Sequence, residues 1–254
     1  MTRPIRPKHE IDPDLVLKAY AMGVFPMSDH RTAKSVYWVE PKLRGILPLN
    51  GFHLSRSLRK VIARDRFRVT ADAAFEDIIR LCAAPAQDRP DTWISGPIER
   101  VFLELHRLGH AHSIECWDGD RLVGGLYGLS LGRAFFGESM VSRATDASKV
   151  ALAWLVARLK VGGYTLLDCQ FQTDHLETMG AVEIPRDAYV GLLGSALGDM
   201  VAGFSAGWGA ASASGDFFAL DALGDSPVDP TLPAGTVSGP LSGKLIVQLL
   251  GQTS

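Results

Sequence analysis

From residue 97 to residue 196 the apolar residues change their period in a fixed order, and that order constrains the fold more than any other feature. PIERVFLELHRLGH carries Pro97 near a helix start and Gly109 at its end. HSIECW and RLVGGLYGLSL are strand-like runs on either side of Asp118-Gly119-Asp120, a hairpin turn. RAFFGESMVS predicts a third strand. ASKVALAWLVARLK predicts a helix that Asp146 caps and Gly162-Gly163 ends. YTLLDCQ predicts a buried strand, QTDHLETMG a helical stretch, and residues 186–196 a last helix. An antiparallel meander that enters a helical crossover is the signature of a mixed α+β layer.

The segments on either side differ in character. Residues 14–22 and 75–83 predict short helices, and 36–49 short extended pieces broken by Pro41, Gly45 and Pro48. In HLSRSLRKVIARD, Leu54, Leu58, Val61 and Ile62 define an apolar face, while Arg56, Lys60 and Arg64 form a cationic row. Such a row either meets successive phosphates of a nucleic acid or keeps a surface helix solvated. The formal charge of −2 gives no hint of a polyanionic partner, but its distribution does. Residues 1–68 hold 14 Lys and Arg against 6 Asp and Glu. From about residue 205, Gly, Ala, Ser, Pro and Asp dominate, which predicts a flexible tail with short order near KLIVQLL. The expected organisation is a basic N-terminal domain over 1–70, a main domain over 71–204 and a tail over 205–254.

Three widely spaced cysteines (Cys82, Cys116, Cys169) indicate neither a disulfide framework nor a thiolate zinc site. The N-terminal residues lack the apolar core of a secretory signal, and no run approaches the ~20 apolar residues that span a bilayer. These features predict a soluble protein of a reducing compartment.

Several side chains are candidates for chemistry. Asp168 and Gln170 are two apart on one strand and share a face; Asp168 is either a base or hydrogen-bond acceptor, or the cap of the next helix. Glu138, set among apolar residues, either receives an ammonium group or pairs with an arginine. On a regular strand it shares a face with Phe136 and Met140, although Gly137 suggests a bulge. Trp93 is either an aromatic platform or a core residue. His106, His110 and His112 lie close in sequence without a metal-ligand spacing, so packing and capping roles are expected. No GxGxxG, GxxxxGK[ST] or GxSxG occurs. SRATDAS stands where an acetyl-CoA pyrophosphate loop would need glycines, which argues against that coenzyme.

AYAMGVFPM, FHLSRSLRK, TWISGPIERVFLELHRLGHAHSIE, VGGLYG, FGESMVSR, ASKVAL, LLDCQ and DHLETMGAVEIPR, in this order over roughly residues 12–195, resemble the leucyl/phenylalanyl-tRNA–protein transferases. The resemblance implies a cytoplasmic, monomeric enzyme that needs no metal or other cofactor. It implies transfer of Leu, Phe or Met from Leu-tRNA, Phe-tRNA or Met-tRNA to acceptor proteins beginning with Arg or Lys, which marks them for degradation. The implied fold is a GNAT-like acyltransferase domain, a mixed sheet with flanking helices, plus a small N-terminal α/β domain.

Carried over by residue, the resemblance places the catalytic pair on Asp168 and Gln170 and the amino-group contact on Glu138. Substrate-binding positions fall on Trp93, Phe135, Leu126, Tyr20 and Met27, and tRNA-binding positions on Arg56, Lys60 and Arg64. Three departures bear on tRNA affinity rather than chemistry. Met27 stands where better-known members have Trp, Ala63 replaces a lysine, and Phe102 replaces a tyrosine.

Overall fold

The computed structural model describes residues 10–85, 91–198, 214–223 and 241–251. Helix α1 (Pro13–Ala21) starts at Asp12, whose carboxylate accepts from the Asp14 N–H. It leads to a two-stranded sheet of β1 (Phe25–Met27) and β2 (Tyr37–Val39). The remaining strands are β3 (Leu43–Ile46), β4 (Arg68–Ala71), β5 (Ala111–Asp118), β6 (Arg121–Leu131), β7 (Ala134–Ser142), β8 (Leu166–Gln170) and β9 (Val182–Pro185). They form one seven-stranded sheet in the order β4-β5-β6-β7-β8-β3-β9. Every pairing is antiparallel except β7 with β8, which the crossover through α5 (Ala147–Val161) makes parallel.

The meander, the crossover and the buried strand therefore stand where the apolar periods put them. Strands β1, β4 and β9 were not anticipated, because three or four residues carry too little alternation to register. Strands β3 and β4, grouped with the N-terminal part by charge, are drawn into the large sheet. Two expectations about helix starts also change. Asp146 precedes α5 but makes no side-chain cap; its backbone is left-handed (φ 68°) and its carboxylate lies 3.7 Å from Lys149. The stretch after β8 narrows to α6 (Asp174–Glu177), capped by the Thr173 hydroxyl.

Both faces of the sheet are covered. Helices α3 (Phe75–Ala83), α4 (Gly96–Arg107) and α7 (Arg186–Leu197) share a core with α1, built around Tyr20, Phe102, Tyr127 and Phe136. On the other face α5 packs beneath α2 (Arg56–Ala63) and α8 (Gly243–Gly251), around Phe135, Leu152 and Ile246. Ala147 to Leu159 are almost all buried, and a helix apolar on every side needs cover beyond one sheet face.

Part of that cover comes from the C-terminal segment: the helix at Gly243–Gly251 stands where short order was expected, whereas residues 214–223 correct the expectation of an irregular tail. Phe217 stacks on His112 (centroids 4.1 Å apart) and on Phe135 (5.7 Å). The Arg158 guanidinium donates to the Phe217 carbonyl and to both Asp221 carboxylate oxygens, each at 2.7 Å. The α8 start is held by Asp65, which accepts from the Gly243 N–H at 2.6 Å. The other tail residues lie outside the described segments. Among the described residues no helix is long and apolar enough to cross a membrane.

Phe217 is 3% exposed, so Phe217→Ala is expected to cost about 3–5 kcal/mol of stability. Urea unfolding of the full chain checks this; an unchanged midpoint would show that the segment does not belong to the core.

Candidate active site

The parallel register of β7 and β8 runs from Ala134↔Leu166 to Phe136↔Asp168. Beyond it, Gly137–Met140 and Cys169–Phe171 line a cavity of about 350 Å³. Its apolar wall is Leu126, Met140, Leu152, Leu155, Leu167 and Leu176; Trp93, Tyr127, Glu138, Gln170, Thr173 and His175 complete it. A space of this size with few polar groups suits one amino-acid side chain and the ester or amide attached to it.

Two local irregularities aim the polar groups. In the β6–β7 ladder Tyr127 faces Ser139 and Gly128 faces Gly137, so Glu138 is the unopposed residue of a bulge. The bulge breaks the alternation expected for a regular strand. Phe136 belongs to the Tyr20 core, whereas Met140 packs with the Phe135 core on the opposite face. The second irregularity is Gln170, whose φ of 60° is left-handed and costs a non-glycine residue about 1–2 kcal/mol. Asp168 Oδ1 holds that conformation by accepting from the Gln170 N–H at 2.7 Å. Gly45 permits it from the other side, since a Cβ there would lie 2.7 Å from the Gln172 backbone nitrogen. Gln170 Nε2 then donates to Glu138 Oε1 at 2.7 Å.

Asp168 lies behind this pair rather than on the cavity wall. Arg44 donates to it through Nε (2.9 Å to Oδ1) and Nη2 (2.6 Å to Oδ2), and the Tyr189 hydroxyl donates to Oδ2 at 2.6 Å. Arg44 is 1% exposed; its Nη1 donates to the Gly23 carbonyl, and its guanidinium lies over the rings of Phe25 and Tyr189. The carboxylate thus neither caps a helix nor faces the cavity. Burial and the neighbouring Asp168 push the Tyr189 hydroxyl well above its ordinary value.

Among the described residues Glu138 forms no ion pair with an arginine, although the Arg44 charge is felt there. Its Oε2 is buried without a hydrogen bond, as is the Tyr20 hydroxyl beside it, which stops short of ordinary hydrogen-bond geometry. Burial raises the Glu138 carboxyl to about 8, so it is largely a neutral acid at neutral pH. The Cys169 thiol is pushed up by burial and by Asp168, which makes it a poor nucleophile.

The cavity gathers Glu138, Gln170, Trp93 and Leu126 on its wall, with Tyr20 behind Glu138. Phe135, fully buried, packs in the same core as Leu126 but does not line the cavity, and Met27 is half-buried in β1, away from the wall. Arg56, Lys60 and Arg64 are exposed along and just after α2, with Leu58 and Ile62 buried beneath. Sequence reading missed Arg44 and Tyr189. The signal for Arg44 was a cation inside the apolar strand LRGI, which burial obliges to find an anion. His106 bonds the Ala111 carbonyl and His112 the Asp72 carboxylate, and among the described residues no His, Cys, Asp or Glu cluster could hold a metal.

Such a cavity, with an aliphatic wall and a carboxyl–amide pair beside it, has the shape and polarity to hold an acyl group with an apolar side chain. The family model "Leucyl/phenylalanyl-tRNA protein transferase" matches residues 46–203, and that family's N-terminal domain matches residues 9–42. The chain belongs to this family of aminoacyltransferases. It is 61% identical to the leucyl/phenylalanyl-tRNA–protein transferase of Rhizorhabdus wittichii, over 96% of this chain and 99% of that protein. The Zymomonas mobilis transferase is 66% identical over 74% and 70%, and the Novosphingobium aromaticivorans one 51% identical over 97% and 98%.

The raised Glu138 carboxyl has a consequence for stability. Between about 4.5 and about 8 the unfolded chain has lost this proton while the folded chain retains it, so the contribution is complete below 4.5 and declines up to 8. The decline is at most ~1.4 kcal/mol per pH unit. Glu138→Gln is expected to flatten the curve in that window, measured by urea unfolding at several pH values; parallel curves would place the proton elsewhere.

Proposed function

We propose that the protein takes Leu, Phe or Met from the matching aminoacyl-tRNA and attaches it to acceptor proteins beginning with Arg or Lys. The observation that carries this is the aliphatic cavity with Glu138 and Gln170 at its polar side. A Leu, Phe or Met side chain enters among Leu126, Leu152 and Leu155, while a β-branched one is disfavoured near the polar rim. Each methylene of difference is worth about 1–3 kcal/mol of discrimination. The α-ammonium of the bound aminoacyl group meets Glu138, and its positive charge draws that carboxyl into the ionised form.

The ester is already activated, so positioning supplies most of the catalysis. Gln170 orients the acceptor amine, whose nitrogen attacks the ester carbonyl. A C–N bond forms, the C–O bond to the tRNA 3′ oxygen breaks, and the proton shed by the amine ends on that oxygen. Asp168 acts through Gln170, and Arg44 and Tyr189 hold Asp168. No metal or coenzyme enters the scheme, and the protein works as a monomer where charged tRNA is available, in the cytoplasm. The antiparallel meander and the β7–β8 pair, opening at the cavity, support a GNAT-like reading of the main domain.

Labelled Leu-tRNA and a peptide beginning with Arg are expected to give a peptide extended by one Leu; absence of that product would overturn the proposal. Gln170→Ala is expected to lower kcat about 10²–10³-fold, and a wild-type rate would remove it from the mechanism. The double variant Arg56→Ala/Lys60→Ala is expected to raise KM for charged tRNA. It should also reduce the slope of log affinity against log salt by about 1–2, and an unchanged slope would exclude the α2 row from phosphate contact.

A further inference from the structure

A second cavity, of about 340 Å³, is lined by Gly96 and Pro97, which follow Trp93 by three and four positions. Arg31, Lys34 and Arg100 line it together with Thr32, Gly96 and Pro97. Among the described residues its charge is not balanced locally. Arg31 is answered by Glu99, which Arg80 also approaches, and Asp91 is occupied by the backbone N–H groups of Arg31 and Thr92. Lys34 and Arg100 have no acidic partner among the described residues. Arg100 folds back over the start of α4, its Nη1 only 3.2 Å from where a Cβ on Gly96 would lie. The Ser95 hydroxyl, at the N-cap, does not satisfy the helix N–H groups there; it accepts from Ser28 instead. Cations gathered over an uncapped helix start repel its dipole, and an anion in the cavity would offset both.

The chain keeps the two cavities close. Trp93 lines the active-site cavity and Gly96 the basic one, and their Cα atoms lie at most ~11 Å apart, a span on the scale of one or two nucleotides. Arg31 fixes the intervening loop by donating from Nη1 to the Ile94 carbonyl at 2.8 Å. We propose that this cavity binds a backbone phosphate at the 3′ end of the tRNA, with Lys34 and Arg100 as its principal contacts and Arg31 as the support of the wall. The assignment rests on the aminoacyl-tRNA reading above, and it adds a phosphate contact separate from the α2 row.

Two minimal donors test it: adenosine carrying Phe on its 3′ oxygen, and the dinucleotide cytidylyl-adenosine carrying the same ester. Wild-type protein is expected to show a KM about tenfold lower for the dinucleotide, and Lys34→Ala/Arg100→Ala should bring the two values together. The same ratio in both proteins would overturn the site. So would tight binding of inorganic phosphate that leaves the dinucleotide KM unchanged, because a free anion would then be the ligand. Wild-type protein inactive with both donors and with charged tRNA would instead overturn the proposed function.

Discussion

The buried pair of Arg44 and Asp168 is the interaction on which the rest of the site depends. Both side chains are shut off from water, and an isolated charge in that position would cost several kcal/mol. The cost is offset because every polar atom of the guanidinium edge facing the carboxylate is used and Tyr189 takes a further lone pair. Each partner comes from a different element. Arg44 is on β3, Asp168 on β8, Tyr189 on α7, and the Gly23 carbonyl follows α1. A single electrostatic knot therefore joins the N-terminal segment to the centre of the sheet. Geometric demands this strict also fix the end of β8, where Gln170 leaves the regular strand.

Strain and desolvation are concentrated beside that knot. Gln170 is held left-handed, Glu138 occupies a bulge, and its outer oxygen is buried without a donor. Each costs stability, and each keeps a polar group facing the aliphatic cavity rather than the core. Under the proposed function, a carboxyl kept neutral by burial ionises as the ammonium group arrives, which couples binding to a change in charge. Aliphatic walls on the far side give the same cavity a surface complementary to apolar side chains.

Legibility in the sequence followed the length of each signal. Strands β5, β6 and β7 and helix α5 were evident because each is a run of eight or more residues bounded by turn or end signals, Asp118-Gly119-Asp120 and Gly162-Gly163 among them. The short strands β1, β4 and β9 were not. The apolar run KLIVQLL signalled α8, but composition hid the ordered stretch at 214–223, although α5 already held the relevant signal. A helix apolar on all sides required a second cover, and Phe217, Leu220 and α8 provide part of it. Among the site residues, Glu138, Gln170, Trp93 and Leu126 stand on the cavity wall, whereas Met27 and Phe135 do not.

The sequence by itself determined the order of elements, the apolar faces and the identity of the polar side chains near the cavity, because these depend on local periodicity and on motifs of contiguous residues. Only the tertiary structure decided that Asp168 stands behind the site, that Arg44, 124 positions away, neutralises it, and that a bulge turns Glu138 toward Gln170. Those facts depend on which distant strands become neighbours. Burial, and with it the strength of each charge, exists only once they have done so.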